Sequence, residues 1–179
     1  LNLLKSPLTM GILNLTPDSF SDGGKYNKKN KAFAFSKKLI RDGVDIIDIG
    51  GESTRPGAKQ ISEKKEWKRI YSTLTKIKKL KKLISLDTRK SLIMKKGIEN
   101  GVNIINDVSG LEHDSNSINV IKKFNSAVVI HHSQGTPSIM QINPKYSNVL
   151  LDIYDFFEKK ISLIRKIGIK HNNILLDPG

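Results

Sequence analysis

In this sequence, polar residues with the chemistry to grip a ligand recur directly behind short apolar runs. Asn14 stands one residue before the end of the run Thr9–Leu15, and Thr16, Pro17, Asp18, Ser19 and Ser21-Asp22-Gly23-Gly24 follow it. Gly50-Gly51-Glu52-Ser53-Thr54-Arg55-Pro56-Gly57 follows Ile46–Ile49. Asp87-Thr88-Arg89 follows Leu83–Leu86, Asn106-Asp107 follows Val102–Ile105, His131-His132-Ser133-Gln134-Gly135 follows Ala127–Ile130, and Asp177 follows Ile174–Leu176. A carboxylate accepts hydrogen bonds from a ring N–H and an amino group together, and an amide offers a donor and an acceptor. Such residues in a low-dielectric pocket suit a flat, nitrogen-rich heterocycle. Glycines beside Arg55 suit phosphate oxygens, through backbone N–H groups and a planar guanidinium. Together they point to a heteroaromatic ring carrying phosphate.

Simpler roles compete for each residue taken alone. An Asp behind a strand is often a helix N-cap, Asp177 before Pro178 can start a turn, and a bare Gly-Gly is usually a turn. His131 and His132 are adjacent on a strand and point to opposite faces, so they do not chelate one ion, and no third ligand lies at zinc spacing.

The elements that must position these residues are legible from periodicity. The six apolar runs are four to seven residues long and rich in Ile, Val and Leu, as strands covered on both faces are. Trp67, Ile70, Leu74 and Ile77 form a helical stripe, as do Ile153, Phe157, Ile161 and Ile164, with Phe35 and Leu39 as a shorter pair. Ser62 is placed to cap the helix that follows, although Ser62 and Glu66 miss the capping-box spacing. Gly43, Gly101 and Gly168 fall where helices should end. Ser115–Asn119 reads as a short polar loop. Repeated strand–helix units imply a parallel sheet, either a (β/α)8 barrel or an open doubly wound sheet. A barrel takes ~250 residues; six units fill these 179, as one domain over 1–179 with no boundary inside it.

The net charge is +14. Such an excess attracts anions, nucleic acid among them. The lysines fall mostly on polar helix faces, as Lys76, Lys78, Lys79, Lys81 and Lys82 do, without the interleaved aromatics of a strand-binding groove. No nucleic-acid or membrane partner is therefore expected. No apolar run approaches the ~20 residues of a membrane span, and no secretory signal is evident. There is no cysteine, which excludes disulfides and thiolate metal sites and fits a cytoplasmic protein. Leu1 and Gly179 both read as cut from something longer.

Two linear stretches carry a resemblance. Met10-Gly11-Ile12-Leu13-Asn14-Leu15-Thr16-Pro17-Asp18-Ser19-Phe20-Ser21-Asp22-Gly23-Gly24 resembles the opening signature of the dihydropteroate synthase family, and Gly50-Gly51-Glu52-Ser53-Thr54-Arg55-Pro56-Gly57-Ala58 resembles its second. Ser85-Leu86-Asp87-Thr88, Ile105-Asn106-Asp107, His132 through Gln141 and Asp177-Pro178-Gly179 match in order. The resemblance implies the TIM (β/α)8 barrel, lacking its last two strands. It implies that a pterin diphosphate condenses with p-aminobenzoate, a transferase reaction of folate biosynthesis that sulfonamides block. It implies that Asp87, Asn106 and Asp177 hold the pterin ring and that Asn14 meets a Mg2+ carried by the diphosphate. Thr54 and Arg55 are implied second-loop substrate contacts, and Phe20, Asp22 and Pro56 are implied to close over p-aminobenzoate. Asp87, Asp22 and Arg55 are the implied catalytic residues, with His132 a further substrate contact. A homodimer, and fusion to the pyrophosphokinase that makes the pterin substrate, are the implied partners.

Two features depart from the family. His131 and Ser133 stand where methionines are frequent, which leaves His131 between the pterin pocket and packing. The later lysine and arginine–histidine motifs lie beyond this sequence, so these residues alone are expected to be inactive and poorly stable. A folate-dependent methyltransferase barrel would share the residues behind strands three and four but not the first loop. A degenerate, binding-only remnant is the other alternative.

Overall fold

The computed structural model describes residues 7–16, 25–53, 58–134 and 144–179. Among the described residues, six strands alternate with five α-helices: β1 Met10–Asn14, α1 Lys25–Arg41, β2 Ile46–Gly50, α2 Glu63–Ile77, β3 Leu83–Asp87, α3 Ser91–Glu99, β4 Ile104–Asp107, α4 Ser117–Phe124, β5 Ala127–His131, α5 Val149–Lys166 and β6 Ile174–Asp177. All neighbouring strands pair in parallel. Their order in the sheet is their order in the chain. A doubly wound sheet reverses direction at a switch point; this one never does. The strand order is that of a (β/α) barrel, of which the chain supplies six units.

Side-chain parity shows which face is which. Leu13, Ile47, Ile49, Ile84, Leu86, Ile105, Val128 and Ile130 join Ala32, Ile70, Leu74, Ile93, Met94, Ile121, Phe157 and Ile164 in one core between strands and helices. All five helices contribute to it, so they all cover the same face of the sheet. The opposite face buries Ile46, Ile104, Ala127 and Val129 with Leu83, Leu175 and Leu8 packed against them. Ile104 is only 1% exposed there. A flat sheet would leave such residues in water; curling brings them together as a barrel interior.

Local signals explain the helices. Ser62 caps α2, its side chain accepting from the Lys65 N–H, and Asn148 caps α5 by accepting from Leu150 and Leu151. Gly43, Gly101 and Gly168 have φ of 96°, 100° and 102°, the left-handed conformation that ends a helix at low cost. Gly97 on α3 lies against β3, where an added Cβ would sit 2.3 Å from Leu86 Cδ2.

Three sequence expectations are corrected. Ser115–Asn119 is not all loop, because α4 begins at Ser117, which is buried. Phe35 is 38% exposed, and α1 turns Ala32 and Ser36 inward instead; small residues let it approach the sheet. The fourth strand begins two residues after Val102, at Ile104.

Candidate active site

The strand registers bring the polar residues to one rim. Asn14 is the Cα partner of Gly50, Gly50 of Asp87, and Asp87 of Asn106. Farther round, His131 is the partner of Asp177. Parity places Asn14, Gly50, Asp87, Asn106, His131 and Asp177 on the interior face at the carboxyl end. The ladder continues past the strands, through Leu15 N–H to Gly50 O at 2.8 Å, Thr88 N–H to Asn106 O at 3.1 Å and His132 N–H to Asp177 O at 2.8 Å. These bonds fix the height at which each side chain leaves the sheet.

Gly50 is a bare point in this rim. A Cβ there would lie 3.3 Å from Asp87 Oδ2 and 3.6 Å from Asn14 Oδ1. The two side chains thus flank the gap that the missing Cβ leaves, with their oxygens turned toward it.

The interior is acidic. Burial, reinforced by the charges of Asp48, Asp107 and Glu66, raises the Asp87 carboxyl well above its ordinary value, and Arg89 offsets only part of this. Burial also raises Asp48, offset in part by the nearby Ser85 hydroxyl and by the Asn106 amide. A site in this state favours N–H donors or developing positive charge on a ligand. Asp107 faces the helices and ties a turn, accepting from Ser109 N–H, Ser109 Oγ–H and Leu111 N–H; despite its place in the sequence it does not join the rim.

Around β5 the two histidines separate as parity requires. His131 faces the interior, with Nδ1 3.1 Å from Asp177 Oδ2. Burial alone would raise Asp177, but the Gly179 N–H and His131 hold it below the ordinary value. His132 is buried, edge-on to Phe156 at 4.9 Å between ring centroids and near Phe157 and Tyr146. His132, expected as a substrate contact, packs here against α5. Phe20, Asp22, Thr54, Arg55 and Pro56 lie outside the described residues.

Sequence reasoning missed the ion network behind the rim. Lys90 Nζ–H donates to Glu52 Oε2, to Glu66 Oε2 at 2.7 Å and to Ile61 O at 2.8 Å. Arg89 Nη2 lies 2.7 Å from Glu52 Oε1, the Ile61 N–H donates to Glu52 Oε2 at 3.2 Å and Thr88 Oγ1–H donates to Glu66 Oε1 at 2.6 Å. Burial would raise Glu52, yet Lys90, Arg89 and the Ile61 N–H hold it below its ordinary value. Two charges of each sign balance inside the fold. Lys90, three residues after Asp87, thereby grips both ends of the second rim loop. Glu66 just misses the capping-box position, and that miss was the one available signal that its carboxylate has another partner.

Among the described residues, no group of three His, Cys, Asp or Glu side chains is arranged to hold a metal ion, and no helix is long and apolar enough to cross a membrane. A Mg2+ that arrives on a diphosphate needs no such cage, since it keeps several waters and takes one or two protein oxygens. Asn14 Oδ1, open on the rim, fits that demand.

A (β/α) barrel whose rim gathers acids and amides around a cup is a small-molecule site, and comparison with known proteins says of which class. Residues 10–179 match the family described as "Pterin binding enzyme", and the chain belongs to that family. It is 41% identical over 178 residues to the dihydropteroate synthase of Neisseria meningitidis serogroup B, covering 98% of this chain and 62% of that protein. It is 39% identical to the dihydropteroate synthase of Bacillus subtilis, covering 61% of it. Among solved structures, a dihydropteroate synthase of Clostridium difficile in the presence of pteroic acid superposes with a TM-score of 0.88 at 39% identity, over 98% of this chain and 65% of that one. The Xanthomonas albilineans dihydropteroate synthase with 4-aminobenzoic acid gives 0.89 at 33% identity, over 98% and 62%. The chain thus spans about three fifths of the length of the curated relatives it matches.

Proposed function

We propose that the chain is the pterin-binding part of a dihydropteroate synthase. The reaction joins 6-hydroxymethyl-7,8-dihydropterin diphosphate to p-aminobenzoate, giving 7,8-dihydropteroate and diphosphate. The observation that carries this reading is the register that sets Asn14, Gly50, Asp87 and Asn106 side by side on the interior rim, with Asp177 on the same face. The relatives' ligands, pteroic acid and 4-aminobenzoic acid, support it.

In the reaction, the amine nitrogen of p-aminobenzoate bonds to the exocyclic methylene as the carbon–oxygen bond to diphosphate breaks, and the amine sheds a proton. Asp87 and Asn106 meet the edge of the bicycle, with Asp177 reached across the cup. The acidity around Asp87 favours positive character on the ring as the leaving group departs. Asn14 would hold a Mg2+ on the diphosphate, and that ion would neutralise charge on the leaving group. Thr54 and Arg55 are assigned to substrate oxygens, and Phe20, Asp22 and Pro56 to the closing of the p-aminobenzoate side, where sulfonamides would compete. The same reading has the full-length protein working as a cytoplasmic homodimer.

The test is calorimetry of the full-length protein with the pterin diphosphate, beside an assay of dihydropteroate release. Asp87→Asn should weaken pterin binding by about 10- to 100-fold, the worth of a charged hydrogen bond. Unchanged affinity would remove Asp87 from the role given to it here.

A further inference from the structure

Asp48 lies one layer below the rim, on the interior face of β2. It is 5% exposed and is the register partner of Ile12 on one side and Ser85 on the other. Its Oδ2 accepts from Asn106 Nδ2 at 3.3 Å, reaching past β3 to β4. Asp48 Oδ1 and Ser85 Oγ, both buried, complete no hydrogen bond. The carboxylate thus spends its one well-defined contact on the amide of a rim residue.

That contact has a chemical consequence. An Asn amide can turn over about its last torsion, exchanging a donor for an acceptor with almost no change of shape. Turned over, Asn106 would bring its Oδ1 against Asp48 Oδ2, oxygen facing oxygen. Held as observed, one Nδ2 proton goes to Asp48, and the other proton and Oδ1 remain for a ligand. An amide edge of that kind pairs with a heterocycle that sets a ring nitrogen acceptor beside an amino donor, as Asn does with adenine. It mismatches a ring N–H beside a carbonyl.

We propose that Asp48 is a specificity-determining positioning residue, which fixes the Asn106 amide so that the cup selects a 2-amino over a 2-oxo pteridine edge. This rests on the pterin reading given above. Asp48 touches no ligand; it decides which way round the ligand-facing group stands.

The experiment compares two probes on the full-length protein, 6-hydroxymethylpterin and its 2-oxo counterpart 6-hydroxymethyllumazine, by calorimetry. The wild type should prefer the pterin. Asp48→Asn, nearly isosteric and neutral, lets the two amides turn over together and should shrink that preference by about tenfold or more. The KM for p-aminobenzoate should stay near wild type, and the melting temperature should not fall. Asp48→Leu, which removes the partner altogether, should move the preference the same way and serves if the amide variant folds poorly. A folded Asp48→Asn protein with the wild-type preference overturns the proposal and leaves the pterin reading standing. A wild type that binds neither probe overturns the pterin reading and this inference with it.

Discussion

Replacing Lys90 with methionine should cost the fold about 3–5 kcal/mol, the usual result of removing one partner of a buried ion pair. The side chains of Lys90, Glu52 and Glu66 are 9%, 9% and 1% exposed, so water cannot take over the lost contacts. Glu66 would keep only the Thr88 hydroxyl, and Ile61 O would lose the ammonium that now donates to it. Glu52 would still hold Arg89 and the Ile61 N–H, so most of the damage should fall on Glu66. Methionine fills nearly the same volume, which keeps cavity effects small. Against a total stability of about 5–15 kcal/mol the loss is large. The measurement is urea unfolding of the full-length protein at neutral pH, followed by circular dichroism and by the fluorescence of Trp67, the neighbour of Glu66 in sequence. Adding Glu66→Gln to the methionine variant removes the stranded charge and should recover about 1–3 kcal/mol, a coupling expected of side chains in one network. A methionine variant within about 1 kcal/mol of wild type, or a double variant no better than the single one, would refute the reasoning.

Other perturbations have equally definite outcomes. Because the native state raises the Asp87 carboxyl well above its unfolded value, it binds a proton that the unfolded chain has already released. The unliganded protein should therefore lose stability as pH rises through the interval between the two values, and Asp87→Asn should weaken this dependence, leaving the share of Asp48 and Asp107, whose carboxyls burial also raises, while raising the melting temperature at neutral pH. A gain of ~1 kcal/mol corresponds to ~2–4 °C at this size, readable by calorimetric scanning. Gly97→Ala forces its new methyl into Leu86 and should cost about 1–3 kcal/mol in the same urea assay, with no change in ligand affinity. Asn148→Ala removes the acceptor for two N–H groups at the start of α5 and should cost about 1 kcal/mol.

Strands announced themselves because each is short, apolar and bounded by polar residues. All six lie where the runs of Ile, Leu and Val placed them, and Ile46–Gly50 begins with its run to the residue. The α2 stripe was equally legible, since Ile70, Leu74 and Ile77 are fully buried. Of the Phe35 and Leu39 pair, Leu39 does lie against β1 beside Gly11, but Phe35 misled because an aromatic was read as a core residue, while Ala32 and Ser36, whose small size carries little periodic signal, take the buried positions. Chain order of the strands could not be read from periodicity, because a doubly wound sheet uses the same βα units; the resemblance, not the pattern, pointed to a barrel. Asn14, Asp87, Asn106 and Asp177 were visible at strand ends because parity and register follow directly from strand position. Asp48 was hidden inside an apolar run, where the alternation of a strand buried on both faces is muted. The Lys90 network joins residues 52, 61, 66, 88, 89 and 90, and pairing across three elements leaves no spacing rule to read.

Gly50 gives the barrel mouth an unusual vulnerability. The substituent absent from that position leaves a gap that the side chains of Asn14 and Asp87 both border. A methyl grafted onto the alpha carbon would crowd Asp87 Oδ2 at 3.3 Å and meet Asn14 Oδ1 at ordinary contact, 3.6 Å, while leaving the hydrophobic layers beneath untouched. The mildest side chain in the genetic code would therefore press on the rim at Asp87 in a protein that still folds.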